Sequence, residues 1–89
     1  MMNKLIAEFL GTLFLFYVIL ATSDAVAIGL ALMASIFILG KTSGGHFNPA
    51  VSVMMAMARK MNMKDLAPYI VAQIAGALVA LELHKRVKF

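Results

Sequence analysis

Ser43-Gly44-Gly45-His46-Phe47-Asn48-Pro49-Ala50-Val51-Ser52 is the stretch whose reading decides the fold. Two adjacent glycines let the backbone turn where a side chain would forbid it. Asn48 suits a helix N-cap, and Pro49 then falls at the first helical position, where its missing N–H is no loss. Residues Ala50 to Ala58 suit a helix, and Arg59-Lys60 place positive charge at its negative end. A loop therefore feeds a short helix whose electropositive N-terminus carries Asn48. Inside a membrane such a terminus persists only against a polar cavity or packed protein.

The surroundings of this stretch are apolar. The chain has 89 residues, 63% hydrophobic and 13% charged, with a mean hydropathy of +0.94. A soluble domain of this size could not hide so much apolar surface, which predicts an all-α, multi-pass integral protein of the cell membrane. There is no cysteine, hence no disulfide framework or thiol chemistry. The net charge of +4 collects at the ends of apolar stretches. That pattern reads as contact with lipid headgroups, not as a nucleic-acid stripe. The first fourteen residues resemble a signal peptide in having one lysine and an apolar core. No small-residue cleavage site precedes a soluble body, so a retained first span is favoured.

Charged side chains divide the sequence into four charge-free windows, Phe9–Ser23, Ala25–Gly40, Thr42–Ala58 and Leu66–Leu81. The third fails as a span, because Thr-Ser-Gly-Gly-His and Asn-Pro break its first half. Its helical remainder from Pro49 reaches only about 15 Å, half of a ~30 Å hydrocarbon core. The expectation is three spans, about 5–22, 25–40 and 66–83, with a re-entrant loop and half-helix over about 42–58. Thr22-Ser23-Asp24 makes a polar turn and a cap for the second span, and Gly40 with Lys41 suits that span's end. Pro68 is expected in the first turn of the third span. Small residues mark packing faces: Gly11 beside Ala7, Gly29 beside Ala25, and the stripe Ala72, Gly76, Ala80. Gln73 is polar and deep enough to need a partner.

With the N-terminus inside, Lys4, Lys41, Arg59, Lys60 and Lys64 lie on one side and Lys85, Arg86 and Lys88 on the other. Five against three is a weak positive-inside bias and permits insertion both ways round. The basic tail 85–88 reads as a headgroup anchor in preference to a partner site.

Three separated motifs now stand in order: Ala7-Glu8-Phe9-x-Gly11-Thr12, Ser43-Gly44-Gly45-His46-x-Asn48-Pro49-Ala50-Val51, and Tyr69-Ile70-x-Ala72-Gln73-x-x-Gly76-Ala77. Together they resemble the aquaporin (major intrinsic protein) family over almost the whole chain, but over only one half of a family member. The resemblance implies a fold of two inverted repeats, each with three spans, one half-helix and an Asn-Pro-Ala; this chain supplies one. A single repeat cannot enclose a pore. A second copy inserted upside down would bring two Asn48 caps tip to tip and restore the inverted-repeat geometry. Because family members are tetramers, four such pairs, an octamer, is the implied assembly. The chain could also be a piece of a longer protein.

The resemblance also implies roles. Asn48, with Pro49 and Ala50, marks the pore midpoint, where the asparagine amide meets passing water and the helix N-termini oppose protons and cations. The plainer alternative is a simple N-cap. Gly44, Gly45, His46 and Phe47 would present a ladder of backbone carbonyls on an extended chain, against the alternative of a flexible surface loop. His46 could also sense pH, since free imidazole titrates near neutrality. Glu8 and Gln73 would brace the loop, the rival being a proton-coupling acid at Glu8. By spacing from Asn48, the constriction would be formed by Ile28, Ile36 and Val51. The family places an arginine after the Ala of its second Asn-Pro-Ala; here Val51 stands there, as in a first half, so a homodimer has an apolar filter without arginine.

The implied activity is passive conduction of water, glycerol or another small neutral solute. Alternatives are a non-conducting or hetero-assembling half-channel and a small dual-topology proton-coupled transporter using Glu8. No nucleophile–base set, metal-ligand cluster or cofactor motif stands out, so neither an enzyme, nor a metal, nor a cofactor, nor a nucleic-acid partner is expected. Met54, Met55 and Met57 read as adaptable packing in preference to a metal pathway.

Overall fold

A computed structural model describes residues 1–87 as four helices, α1 (Met2–Ala21), α2 (Ala25–Ser43), α3 (Pro49–Met57) and α4 (Met63–Arg86). Lys88 of the basic tail lies outside the described residues. Three of the helices, α1, α2 and α4, are long and apolar enough to cross a membrane. The bundle extends 39 Å along its longest axis, close to the ~40–45 Å of a bilayer with its headgroups.

Helix α1 is the central element. It packs against α4 on one side and α2 on the other, and α3 packs against α4. Lys4, Lys41 and Asn62 line one cavity, while Tyr17, Leu83 and Val87 line another. These pairings set α1 and α4 parallel and α2 antiparallel to both. The Tyr17 hydroxyl donates to the Val87 carbonyl at 2.8 Å and fixes the far end. At Gly76 the two parallel helices meet backbone to backbone: a Cβ there would lie 2.6 Å from the Phe9 carbonyl oxygen. Ala80 is fully buried along the same stripe, and Ala72 is half-buried.

Local chemistry sets the helix ends. The Asp24 carboxylate accepts from the Ala27 N–H at 3.0 Å, and the Thr22 hydroxyl accepts from the Asp24 N–H at the same distance. The expected end of the second span at Gly40 is corrected: α2 runs one turn further, and the glycine that stops it is Gly44, with φ 91° and its N–H on the Gly40 carbonyl. Both glycines could cap locally, but only Gly44 takes the left-handed conformation that glycine adopts without strain. Helix α4 starts at Met63, earlier than expected, so Pro68 stands in its second turn. The ring removes one backbone donor there, near the helix start, where the opposing Lys64 residue is exposed.

Candidate functional site

The segment between α2 and α4 leaves the end of the bundle and returns to it through α3. Gly44 and Lys60, on either side of the excursion, line the same cavity. The nine residues of α3 span about 13 Å, so Asn48 lies that far from the end, near the middle of a spanning helix. An independent contact agrees. The Phe47 ring is fully buried with Leu15 and Ala31, from the middle parts of α1 and α2. It fills the space left by Gly11, where an added Cβ would sit 2.1 Å from the Phe47 Cε1. The reading of Gly11 as a helix-packing surface is thereby corrected: it is a socket for the loop. Gly29 has nothing within 4 Å of where its Cβ would be, so its small size serves no contact among the described residues.

Glu8 is buried completely and holds the loop from below. Its Oε2 accepts from the Ser43 hydroxyl at 2.6 Å and the His46 N–H at 3.1 Å. Its Oε1 accepts from the Phe47 N–H at 2.8 Å and the Gln73 side-chain amide at 2.8 Å. Four donors on one carboxylate is the arrangement an acceptor-only, ionised group satisfies, and it offsets the desolvation of a buried charge. The Gln73 amide also donates to the Ser52 hydroxyl oxygen at 2.8 Å, and Ser52 pairs with His46 Nδ1 at 2.8 Å. Tyr69 completes the frame: its hydroxyl donates to the Ser43 carbonyl at 2.7 Å, and its ring lies 5.1 Å from that of His46. The Gln73 Oε1 and the Thr12 hydroxyl are buried without a partner among the described residues.

The loop's hydrogen bonding is one-sided. Every N–H from Gly44 to Phe47 is bonded, to Gly40, Ser43 or Glu8. None of the carbonyls from Gly44 to Phe47 accepts a hydrogen bond among the described residues. The expected extended chain is corrected to a series of left-handed turns, with φ of 91° at Gly44, 67° at Gly45 and 55° at Phe47. Glycine takes such angles readily; Phe47 takes one because its N–H and its ring are both anchored. Phe47 is 0% exposed, so it does not join an exposed carbonyl row. Gly44 and Gly45 face outward to differing degrees, and the buried His46 keeps a small exposed fraction.

Asn48 caps α3 with its Oδ1, which accepts from the Ala50 N–H at 2.7 Å. Its side-chain amide N–H groups have no partner among the described residues, and the residue is exposed, as is Ala50, with Pro49 between them. Ile36 lies beside Gly45 at 3.3 Å from where a Cβ would stand. Ile28 packs partly against the Leu15–Ala31–Phe47 cluster, and Val51 is half-buried in the first turn of α3.

Ser43, Ser52 and Tyr69 are site residues that reading the sequence left unassigned. Their signal was available: a polar side chain within a charge-free membrane window must find a partner.

Comparison with known proteins agrees with this geometry. Residues 1–88 match the family described as "Major intrinsic protein". The chain is 46% identical to "Glycerol uptake facilitator protein-like 6" of Lactiplantibacillus plantarum, covering 89% of this chain and 41% of that protein. It is 42% identical to "Aquaporin Z" of Brucella melitensis, covering 90% and 42%, and 34% identical to "Aquaporin NIP1-1" of Arabidopsis thaliana, covering 89% and 31%. The chain thus spans about two-fifths, or less, of the length of these relatives. No solved structure gives a significant match. With three helices of spanning length, a re-entrant half-helix capped by Asn48 and these relatives, the chain is an integral, multi-pass membrane protein that belongs to the major intrinsic protein family.

Proposed function

We propose that two copies of this chain, inserted in opposite senses, close a passive channel for water or small uncharged solutes. The observation that carries this reading is the one-sided loop. Its N–H groups are all taken up by protein, while among the described residues the carbonyls of Gly44, Gly45 and His46 and the Asn48 side-chain N–H groups have no partner. In a bilayer, unpaired backbone acceptors are stable only along a polar path. Such a path offers acceptors at the loop and a donor at Asn48, which suits a solute that both donates and accepts hydrogen bonds, as water and glycerol do. The relatives named for aquaporin and glycerol facilitator support the same class of solute.

One chain offers only half a wall. An inverted second copy supplies the other and brings the two Asn48 tips together, with four such pairs as the family-like assembly. In that pair Ile28, Ile36 and Val51 form an apolar constriction. Glu8 and Gln73 act as braces: both of Glu8's oxygens are engaged by donors, which leaves none to shuttle a proton.

Stopped-flow light scattering on vesicles holding this chain alone tests the function. Water efflux above the lipid background is expected; background permeability to both water and glycerol would mean that the chain alone does not conduct. Val51→Arg is expected to narrow the constriction and lower glycerol flux about tenfold or more, relative to water. Equal solute fluxes in both variants would remove Val51 from the pathway.

A further inference from the structure

Two neighbouring cavities open at the end of the bundle where α2 finishes and α4 begins. The first, about 490 Å³, is walled by Lys4, Lys41, Lys60 and Asp65 and reaches His46 and Tyr69. The second, about 450 Å³, is walled by Arg59, Lys60 and Met63, and the two share Lys60, Met61 and Asn62. Four cations therefore face one acid.

The pairing of charges differs between the two ends of the bundle. At the far end of α4, Lys85 and Arg86 reach Glu82 at 4.0 and 3.6 Å. Among the described residues no ion pair engages Lys4, Lys41, Arg59 or Lys60. Asn62 caps α4 without a side-chain hydrogen bond; the Asp65 N–H donates to the Asn62 carbonyl at 3.0 Å, which leaves the Met63 and Lys64 N–H groups open to an acceptor among the described residues. The end of α3 places the two adjacent cations. Arg59 holds φ 61°, a left-handed conformation most easily taken by glycine and asparagine. That angle is the left-handed position of the cap that ends α3, where the Arg59 N–H donates to the Ala56 carbonyl at 3.1 Å and the Lys60 N–H to the Met55 carbonyl at 2.8 Å, so the cap sets Arg59 and Lys60 side by side at the helix end.

We propose that these two cavities form one binding site for the phosphate of an anionic lipid headgroup. Arg59 and Lys60 contact the phosphate oxygens directly, and Lys4 and Lys41 supply the surrounding positive field. Free phosphate has the same chemistry. The lipid is the favoured source because the site lies where spanning helices end, and because Met63, 57% exposed beside it, continues it with an apolar rim. The site adjoins His46 and Tyr69, so a bound headgroup sits directly against the frame of the loop.

The test is native mass spectrometry of the purified chain in micelles with equal phosphatidylglycerol and phosphatidylcholine. Retention of phosphatidylglycerol over phosphatidylcholine by about tenfold or more is expected, and its loss in both Lys60→Ala and Arg59→Gly. Arg59→Gly should fold at least as stably as the parent, since it relieves the left-handed strain; were it to unfold, Lys60→Ala carries the test alone. Lys85→Ala with Arg86→Ala removes twice the charge of either variant at the other end and should leave retention unchanged. Equal retention of both lipids, or equal loss in the tail variant, would overturn the proposal. Displacement of the lipid by millimolar inorganic phosphate would also overturn it, by assigning the site to a soluble anion.

Discussion

Glu8→Gln is expected to destabilise the fold by about 4 kcal/mol. The substitution keeps size and shape but turns one oxygen into an amide donor. Two of the four groups now bonded to Glu8 then face a donor: either the Ser43 hydroxyl and His46 N–H, or the Phe47 N–H and Gln73 amide. Each buried donor left unpaired costs about 1–3 kcal/mol. The loss falls on the loop first, because three of the four partners lie between Ser43 and Phe47. Unfolding midpoints in mixed micelles measure it. The same variant separates a channel from a proton-coupled transporter. In a channel, the fraction that folds conducts as the parent does; in a transporter, folded protein has lost its coupled flux. A Glu8→Gln protein as stable as the parent would show that the carboxylate does not hold the loop.

Gly76→Ala is the second large effect, expected at about 2 kcal/mol net. Alanine is the better helix former by about 1 kcal/mol, so on propensity alone the change would stabilise α4. Against this, the new Cβ meets the Phe9 carbonyl oxygen at 2.6 Å and the Leu13 nitrogen at 3.2 Å. Those are backbone atoms, which cannot rotate away, so α1 and α4 must separate, an overpacking loss of about 3 kcal/mol. Gly29→Ala is the matched control. With nothing within 4 Å of its Cβ position, it should be neutral or slightly stabilising in the isolated chain. The sign of the difference between the two variants in the same unfolding assay is the readout. A stabilised Gly76→Ala would rule out the close α1–α4 contact.

Gly11 and Gly29 show what could be read from the sequence. Ala7/Gly11 and Ala25/Gly29 are the same small-residue spacing in two spans, and the spacing alone cannot tell them apart. In the structure Gly11 receives the Phe47 ring, while Gly29 meets nothing among the described residues. That difference is set by the return of a loop from more than thirty positions along the sequence, which no local pattern carries. Features set within a few residues were legible: the Asp24 and Asn48 caps, the proline after Asn48, and the charge-free windows that became α1, α2 and α4. The end of α2 was not, because Gly40 and Gly44 offer equal local stops. Tertiary bonds decide it, as Ser43 is held by both Glu8 and Tyr69 while still helical. Ser52 escaped notice for a similar reason. It lies one turn beyond Asn48 in a short helix, and only the arrival of Gln73 and His46 makes it a junction.

The account turns on an inverted partner, and the natural absence of cysteine allows a direct measurement. Single-cysteine chains Asn48→Cys and Lys60→Cys, each in lipid vesicles, are treated with the same short bifunctional thiol reagent. Antiparallel pairing predicts covalent dimers through position 48, where two half-helix tips face each other. It predicts none through position 60, where the two thiols lie on opposite surfaces about 30 Å apart. Dimers through position 60 and none through position 48 would mean that neighbouring copies point the same way, and would contradict the account.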